Sequence, residues 1–176
     1  MCFSFEKGPE AYVSFANDDT VGSSGRECSK VGGTGMLVGT YEHKIDSKAR
    51  IVLPSKFREE LGESVFATIG IDKCVSLYSP EEWRKMMERL QELSFSKSKS
   101  RGLLRLMLSS AHELPLDGAG RILLPPVLRE YAEFIQEVVF VGVSDHVEMW
   151  DKEKWNDYRK QVLADLPEIA EGVEGF

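Results

Sequence analysis

The sequence contains two copies of one short pattern, and this internal repeat restricts the possible folds more than any other feature. The first copy is a D-x-x-x-R motif over Asp46–Arg50, followed four residues later by a proline. The second copy, over Asp117–Arg121, has a proline at the same spacing and lies 71 residues further along. The match continues beyond the prolines after one inserted residue, so that Tyr78 corresponds to Trp150. This regularity predicts one supersecondary unit that is used twice.

Each copy predicts the same order of elements. A short strand enters the polar turn, a β-branched strand leaves it and stops at the proline, and a short helical turn follows. A hairpin and a longer helix then close the unit. The hairpin strands are expected over residues 65–71 with 75–78, and over residues 138–143 with 147–150.

Helix starts are marked by capping residues. Ser55 is a candidate cap for the first short helix. Ser79, Pro80 and Glu82 together form a capping box with proline at the first helical position. Asp151 is the corresponding cap in the second copy. Apolar residues at helical spacing predict core-facing stripes on the two long helices and on a third helix after a 94–100 linker. The stripes consist of Trp83, Met86, Leu90 and Leu93 on the first long helix, of Leu103, Leu104, Met107, Leu108 and Ala111 on the third helix, and of Trp155, Tyr158, Val162 and Leu166 on the second long helix.

A strand-rich unit of this size buries too little apolar surface to be stable alone, and its strands leave unpaired edges. Two copies arranged about a pseudo-two-fold axis solve both problems. Residues 1–35 differ from the rest, because they are rich in Gly, Ser, Asn and Asp and show no apolar period. This composition predicts a disordered extension, with Met36 as an alternative start of translation.

Charge and composition exclude several classes of protein. Three scattered cysteines do not form a disulfide framework, and no apolar run reaches the length of a membrane helix, so a cytoplasmic protein is expected. The net charge of −7 is uneven: residues 36–112 carry +3 and residues 113–176 carry −8. Nucleic-acid binding depends on local positive surface, so the acidic total does not exclude it.

Residues 36–58, MLVGTYEHKIDSKARIVLPSKFR, resemble the opening of the MraZ family, and Asp117–Arg121 falls where that family has its second motif. The resemblance extends over residues 36–166. It implies an α+β fold made of two tandem SpoVT/AbrB-like swapped-hairpin β units, which form a pseudo-two-fold β-barrel core with flanking helices. The units are expected over 40–83 and 111–155, with a helical linker over 84–110 and a C-terminal helix and acidic tail over 156–176.

The resemblance also implies a function. It suggests a sequence-specific, nucleoid-associated DNA-binding regulator, expected to repress the division and cell-wall gene cluster, that acts as a ring-like homo-oligomer on repeated promoter elements. No cofactor, metal, membrane or small-molecule substrate is expected. One departure is Ala49, where the family usually has glycine. If the turn needs a positive φ, alanine costs about 1 kcal/mol there.

The candidate DNA-binding residues are concentrated in the first copy: His43, Lys44, Lys48, Arg50, Lys56 and Arg58. Arg50 either reaches guanine edges or phosphates or pairs with Asp46 to brace the turn. Lys44, Lys56 and Arg58 fit either a DNA contact or a solvated face. Asp46, Asp117 and Arg121 are predicted to be structural turn residues, because the sequence around Arg121 is acidic and glycine-rich.

Two other classes compete with this interpretation. Asp46 and Asp117 would suit acid–base catalysis, but the repeat explains both aspartates, and no G-x-S-x-G or phosphate-binding loop is present. An enzyme is therefore not expected, nor do the three histidines have the spacing of a zinc site. The alternative is an AbrB-like antitoxin or protein-interaction module that binds its partner through the acidic tail.

Deleting residues 1–35 should leave both the thermal midpoint and DNA affinity nearly unchanged, because this segment carries no periodic apolar pattern with which to join a core. Differential scanning calorimetry and a DNA titration of the truncated and full-length proteins test this. A fall of more than a few degrees on truncation would contradict it.

Overall fold

The computed structural model describes residues 36–92 and 97–172. The predictions for the 1–35 extension, for Leu93, for residues 94–96 of the linker and for the end of the acidic tail lie outside these residues. The strands are β1 (Leu37–Lys44), β2 (Arg50–Val52), β3 (Ser64–Ile69), β4 (Val75–Tyr78), β5 (His112–Pro115), β6 (Arg121–Leu123), β7 (Glu137–Ser144) and β8 (Val147–Asp151). The helices are α1 (Ser55–Leu61), α2 (Pro80–Gln91), α3 (Ser98–Ser109), α4 (Pro126–Ala132) and α5 (Lys152–Gly172).

The two repeats are interwoven by exchange of their first strands. Six strands form one antiparallel sheet in the order β1-β7-β8-β4-β3-β5, and β2 pairs with β6 in a separate two-stranded ribbon. Strand β1 of the first repeat therefore pairs with β7, the third strand of the second repeat, while β5 pairs with β3 in the reverse sense. Neither repeat has a complete sheet of its own.

An internal two-fold relation is visible in the strand register. Ile51 pairs with Ile122, and these residues occupy equivalent positions in the two repeats. Ser76 pairs with Glu148, which are also equivalent. Antiparallel strands can pair equivalent residues with each other only where a two-fold axis passes between them, so one pseudo-two-fold axis relates the two repeats at both places.

The α+β class is confirmed, since an antiparallel sheet is combined with five helices. A closed barrel is not observed among the described strands, because β1 and β5 are the two edges of the sheet and do not pair with each other. The short β2–β6 ribbon instead forms a second layer over the core.

The core lies between the sheet, the ribbon and the two short helices. Phe57 and Leu61 from α1 and Leu128 from α4 are fully buried, together with Ile51 and Ile122 from the ribbon. Each such side chain contributes about 1.5–3 kcal/mol of burial free energy. Because both repeats supply this one cluster, neither repeat would retain a core if the other were removed.

The helix starts agree only in part with the capping predictions. Ser79 is the N-cap of α2, its hydroxyl accepts a bond from the Glu82 amide, and Pro80 is the first helical residue, as predicted. Asp151 precedes α5 and accepts a bond from the Glu153 amide at 3.1 Å, which confirms its capping role. The prediction for Ser55 is wrong: Pro54 holds the N-cap position of α1, without a side-chain cap bond.

The apolar stripes of α3 and α5 are less buried than predicted. In α3 only Met107 is buried, while Leu103 and Leu108 are exposed. In α5 none of the described residues is buried, although Trp155 and Tyr158 stack near Trp150. Leu166 is 50% exposed. These helices therefore carry apolar surface that the fold itself does not cover.

The two repeat turns both need a left-handed residue. Ala49 has a φ of 60° and Gly120 has a φ of 70°. The positions are not equivalent in their surroundings, because a Cβ on Gly120 would lie 2.7 Å from Cδ and 2.8 Å from Cζ of Arg58. Alanine at position 49 thus carries only the backbone cost, whereas any side chain at position 120 would also collide with Arg58.

The exchange Ala49→Gly should leave the free energy of unfolding unchanged or raise it by up to about 1 kcal/mol, as relief of the left-handed strain is partly offset by unfolded-state entropy. The exchange Gly120→Ala should lower it by at least about 1–2 kcal/mol, because strain and collision add. Urea denaturation of both variants measures the difference. Equal effects at the two positions would contradict this account.

Candidate nucleic-acid interface

The first turn is organised by the carboxylate of Asp46. Its Oδ1 accepts backbone bonds from Lys48 at 2.8 Å and from Arg50 at 2.9 Å. Its Oδ2 accepts a hydrogen bond from Nε of Arg50 at 2.8 Å and lies 2.7 Å from Nη2 of the same side chain. Aspartate is suited to this position because its short side chain can bond to backbone amides a few residues ahead. The turn and the arginine side chain are thus fixed by one carboxylate.

The second turn repeats this arrangement. Asp117 Oδ1 accepts backbone bonds from Ala119 at 2.9 Å and from Arg121 at 3.0 Å, and Oδ2 accepts the Nε of Arg121 at 2.7 Å. The Asp-x-x-x-Arg spacing is therefore what lets one side chain close the turn and hold the arginine.

Both carboxylates are held in the ionised form. Backbone and side-chain hydrogen bonds from Arg50 lower the pKa of Asp46 to about 2. The backbone bond from Arg121 is the largest cause of the lowered pKa of Asp117. Each turn therefore keeps its Asp–Arg ion pair throughout the neutral and mildly acidic range.

The two arginines lie on one surface. In the β2–β6 ribbon Arg50 pairs with Leu123 and Val52 pairs with Arg121, while Ile51 and Ile122 point into the core. Because side chains alternate along a strand, Arg50, Val52, Arg121 and Leu123 share the outward side, here called the ribbon face. Arg50 and Arg121 are diagonal neighbours, a separation of about 7–8 Å between their backbones.

Further hydrogen bonds tie each turn to the strand of the other repeat. The Leu124 amide donates to the Ala49 carbonyl at 2.9 Å, and the Leu53 amide donates to the Gly120 carbonyl at 3.0 Å. The positions of the two turns are consequently coupled through the ribbon.

Two exposed lysines lie close to the first turn in the sequence. Lys48 lies at the tip of the first turn and Lys56 in the first turn of α1. Neither ammonium group has an ion-pair partner among residues 36–92 and 97–172. The second turn has Gly118 and Ala119 at the corresponding tip, so the exposed positive charge is greater at the first turn.

Arg58 does not accompany the first turn, although it is close to it in sequence. Its side chain crosses to the second repeat and covers Gly120, and its Nε is buried without a hydrogen-bond partner among the described residues. The equivalent Arg129 instead donates from Nε to the Leu124 carbonyl at 3.3 Å. Strand exchange thus transfers one cation from the first repeat to the turn of the second.

His43 and Lys44 make contacts within the chain. The ring of His43 lies edge-on to Phe140 with centroids 5.6 Å apart, and burial followed by the charge of Arg58 lowers its pKa. Lys44 pairs with Glu137 at 3.0 Å. The strand register therefore places Arg50 and Arg121 on one face and Lys48 at the tip of the first turn, whereas His43, Lys44 and Arg58 make contacts elsewhere.

The sequence did not predict that Leu123 is exposed on the ribbon face. This leucine is 60% exposed although it lies in a strand beside two arginines. The sequence signal that could have placed Leu123 on this face is its correspondence to Val52 at the 71-residue spacing.

Metal sites, reactive thiols and membrane spans each have structural requirements with which the described residues can be compared. No group of three or more His, Cys, Asp or Glu side chains is placed there to hold a metal ion. Cys74 is buried, and burial is the main cause of the rise in its pKa to about 12, so the thiol is not nucleophilic. No described helix has the length and apolar character needed to span a membrane.

These features define a class: an α+β protein of two interwoven repeats, each presenting an Asp–Arg turn. A family model described as "MraZ protein, putative antitoxin-like" matches residues 36–106 and again residues 107–171. The chain belongs to the MraZ family.

Curated relatives support this assignment. The transcriptional regulator MraZ of Caldanaerobacter subterraneus subsp. tengcongensis is 46% identical over 141 residues, which cover 80% of this chain and 99% of that protein. The protein of that name from Natranaerobius thermophilus is 42% identical over 80% of this chain and 99% of its own length. The one from Clostridium tetani is 43% identical over 77% and 95%, respectively. All three relatives are named transcriptional regulators.

The exchange Asp46→Asn should destabilise the protein at neutral pH, and this difference should shrink as the pH falls. The folded-state pKa is about 2, below the ordinary 3.8, so ionised Asp46 stabilises the fold above about pH 4, and this contribution is lost as the pH falls through about 2. Urea midpoints of wild type and variant between pH 7 and 2 measure it. Asp157→Asn, at an exposed residue of α5, is the control. A difference that stays constant down to pH 2 would refute the assignment.

Proposed function

We propose that this chain is a sequence-specific transcriptional regulator that binds double-stranded DNA through the ribbon face. The observation that carries the proposal is the placement of Arg50 and Arg121 as diagonal neighbours on the outward side of a two-stranded ribbon. The names of the curated relatives support a role in transcription. DNA is the partner that best fits the shape and the charge of this face.

The ribbon has a suitable shape. The major groove of B-DNA is about 12 Å wide and admits a two-stranded β-ribbon. Strands β2 and β6 have three residues each and project only their outward side chains, so base edges are reachable without displacing the core. The exposed Leu123 and Val52 offer apolar contacts of the kind made to thymine methyl groups.

The arginines are prepared for a bidentate contact. Arginine has five N–H donors, and Asp46 engages the Nε and Nη2 of Arg50, which leaves donors of the guanidinium available. The ion pair fixes the side chain before DNA arrives, so less conformational entropy is lost on binding. About a third of each side chain is exposed, 30% for Arg50 and 33% for Arg121.

Lys48 and Lys56 are proposed to contact phosphates beside the ribbon face. Their charges are unpaired in the described structure, so each can release counterions from DNA. Arg58 is proposed to add positive potential near the second turn, which the sequence alone had marked as acidic. His43 and Lys44 are proposed to support the fold rather than to bind DNA, given their contacts with Phe140 and Glu137.

The wider function rests on the family. We propose repression of the division and cell-wall gene cluster, a cytoplasmic and nucleoid-associated location, and a ring-like homo-oligomer on repeated promoter elements. Several weak ribbon contacts on one ring would reinforce one another through effective concentration. The competing antitoxin-like function is favoured by the description of the family model and by the exposed acidic end of α5.

Arg50→Ala and Arg121→Ala should each weaken binding to the promoter fragment upstream of the gene by about 5- to 150-fold, the effect of losing one bidentate guanine contact of about 1–3 kcal/mol. Arg50→Lys should weaken DNA binding almost as much as Arg50→Ala, because lysine keeps the charge but loses the bidentate geometry. Fluorescence anisotropy measures this, with circular dichroism to verify folding.

Lys160→Ala, at an exposed position of α5, is the matched control and should bind like wild type. If only Arg50→Ala weakens binding, the charge difference between the turns decides recognition. If both folded alanine variants bind like wild type, the ribbon face is not the DNA-binding surface.

A further inference from the structure

We infer that the C-terminal half of α5 docks into the groove between α2 and α3 of a second copy of this chain. This rests on the proposed homo-oligomer and assigns its contact surfaces. Two features of the described structure carry the inference. The first is an apolar helix face that the fold does not cover and that acidic residues flank. The second is an apolar groove on a different part of the molecule, which is lined by basic residues.

The first surface is here called the tail stripe. Leu163, Leu166 and Ile169 follow one another at a spacing of three residues and are 54%, 50% and 43% exposed. Acidic residues flank them at the same spacing: Asp165, Glu168 and Glu171. An apolar row on an amphipathic helix normally faces a core, so this row indicates a partner.

The second surface is the α2–α3 groove, a depression of about 260 Å³. Its lining is formed by Met87 and Gln91 of α2 and by Arg101, Leu104, Arg105 and Leu108 of α3. Three of the lining side chains are apolar, and the two arginines lie one helical turn apart on α3. This combination of apolar and basic side chains suits an amphipathic helix that brings acidic residues along one side.

Helix electrostatics give an independent reason for pairing these surfaces. The C-terminal end of a helix is partially negative, yet α5 has no basic residue in its last turn and carries acidic residues there. The N-terminal end is partially positive, yet α3 has no acidic residue in its first turn and begins with Lys97 and Lys99 around it. Each helix end is unfavourable alone, and bringing the two together relieves both.

The part of α5 that carries the tail stripe is also a weak helix by itself. Pro167 lies inside α5 and has no backbone N–H to donate to the Leu163 carbonyl. All residues of α5 from 163 to 172 are exposed except Ala170, which is half-buried, so the rest of the chain does not support this half. Docking on another molecule would supply the missing support.

The occupant we propose is a second copy rather than a foreign protein, because both surfaces and both charges are present in the same chain. The two surfaces are different, so the contact is head-to-tail. Such a contact propagates from one molecule to the next and closes into a ring when the rotation allows.

Two charge-reversed proteins test the inference. The groove variant carries Arg101→Glu and Arg105→Glu, and the tail variant carries Asp165→Lys, Glu168→Lys and Glu171→Lys. Light scattering after size exclusion should show wild type as an assembly larger than a dimer. Each variant alone should be reduced to the 19.8 kDa single chain.

Mixing the two variants should restore assembly. The native tail of the groove variant meets the native groove of the tail variant, and the reversed tail meets the reversed groove, so every contact again joins opposite charges. The control exchanges Asp157→Lys and Lys160→Glu, near the start of α5, and should remain assembled. Circular dichroism verifies folding, and removal of residues 163–176 is a second tail variant, which should also give single chains.

The outcomes separate this inference from the proposed function. A monomeric wild type would refute both the oligomer and the docking. An assembled wild type whose two variants also stay assembled would refute the docking alone. Dissociated variants that do not reassemble on mixing would show that the tail binds something other than this groove, as an antitoxin-like tail would.

Discussion

The antiparallel pairing of β2 with β6 is the interaction on which the rest of this structure depends. Ile51 and Ile122 meet across the internal two-fold axis and seal the core on that side. The Ala49 and Gly120 carbonyls extend the ribbon by accepting bonds from Leu124 and Leu53. This pairing fixes both Asp–Arg turns relative to each other, so a single surface receives a contribution from each repeat.

Sequence periodicity was sufficient for those features that depend on local chemistry. The repeat and the α2 start at Ser79 follow from spacing and capping preferences. The positive φ at Ala49 was suggested by the glycine that the resembled family usually has at this position, and the structure shows it. The predicted hairpin strand over 75–78 agrees with β4 because it, too, depends on local spacing. Local rules failed at Ser55, where Pro54 holds the cap position.

Strand exchange explains why the neighbourhood of the candidate site could not be predicted. Exchange brings residues of one repeat beside the turn of the other, so proximity in sequence does not indicate proximity in space. Arg58 follows the first turn in sequence but covers Gly120 in the second. Lys44 was grouped with the basic residues of the first turn, yet it pairs with Glu137. Ala49 also removes the exact symmetry of the turns, and the two equivalent arginines, Arg58 and Arg129, find different contacts.

We propose that the ribbon face contacts DNA, and Leu123 offers the most direct test of this contact. This side chain is exposed, lies directly opposite Arg50 and makes no hydrogen bond that its replacement would break. A photoreactive benzophenone amino acid placed at position 123 should crosslink to promoter DNA on illumination, whereas the same group at the exposed Lys160 of α5 should not. Crosslinking from position 160, with none from position 123, would contradict the account.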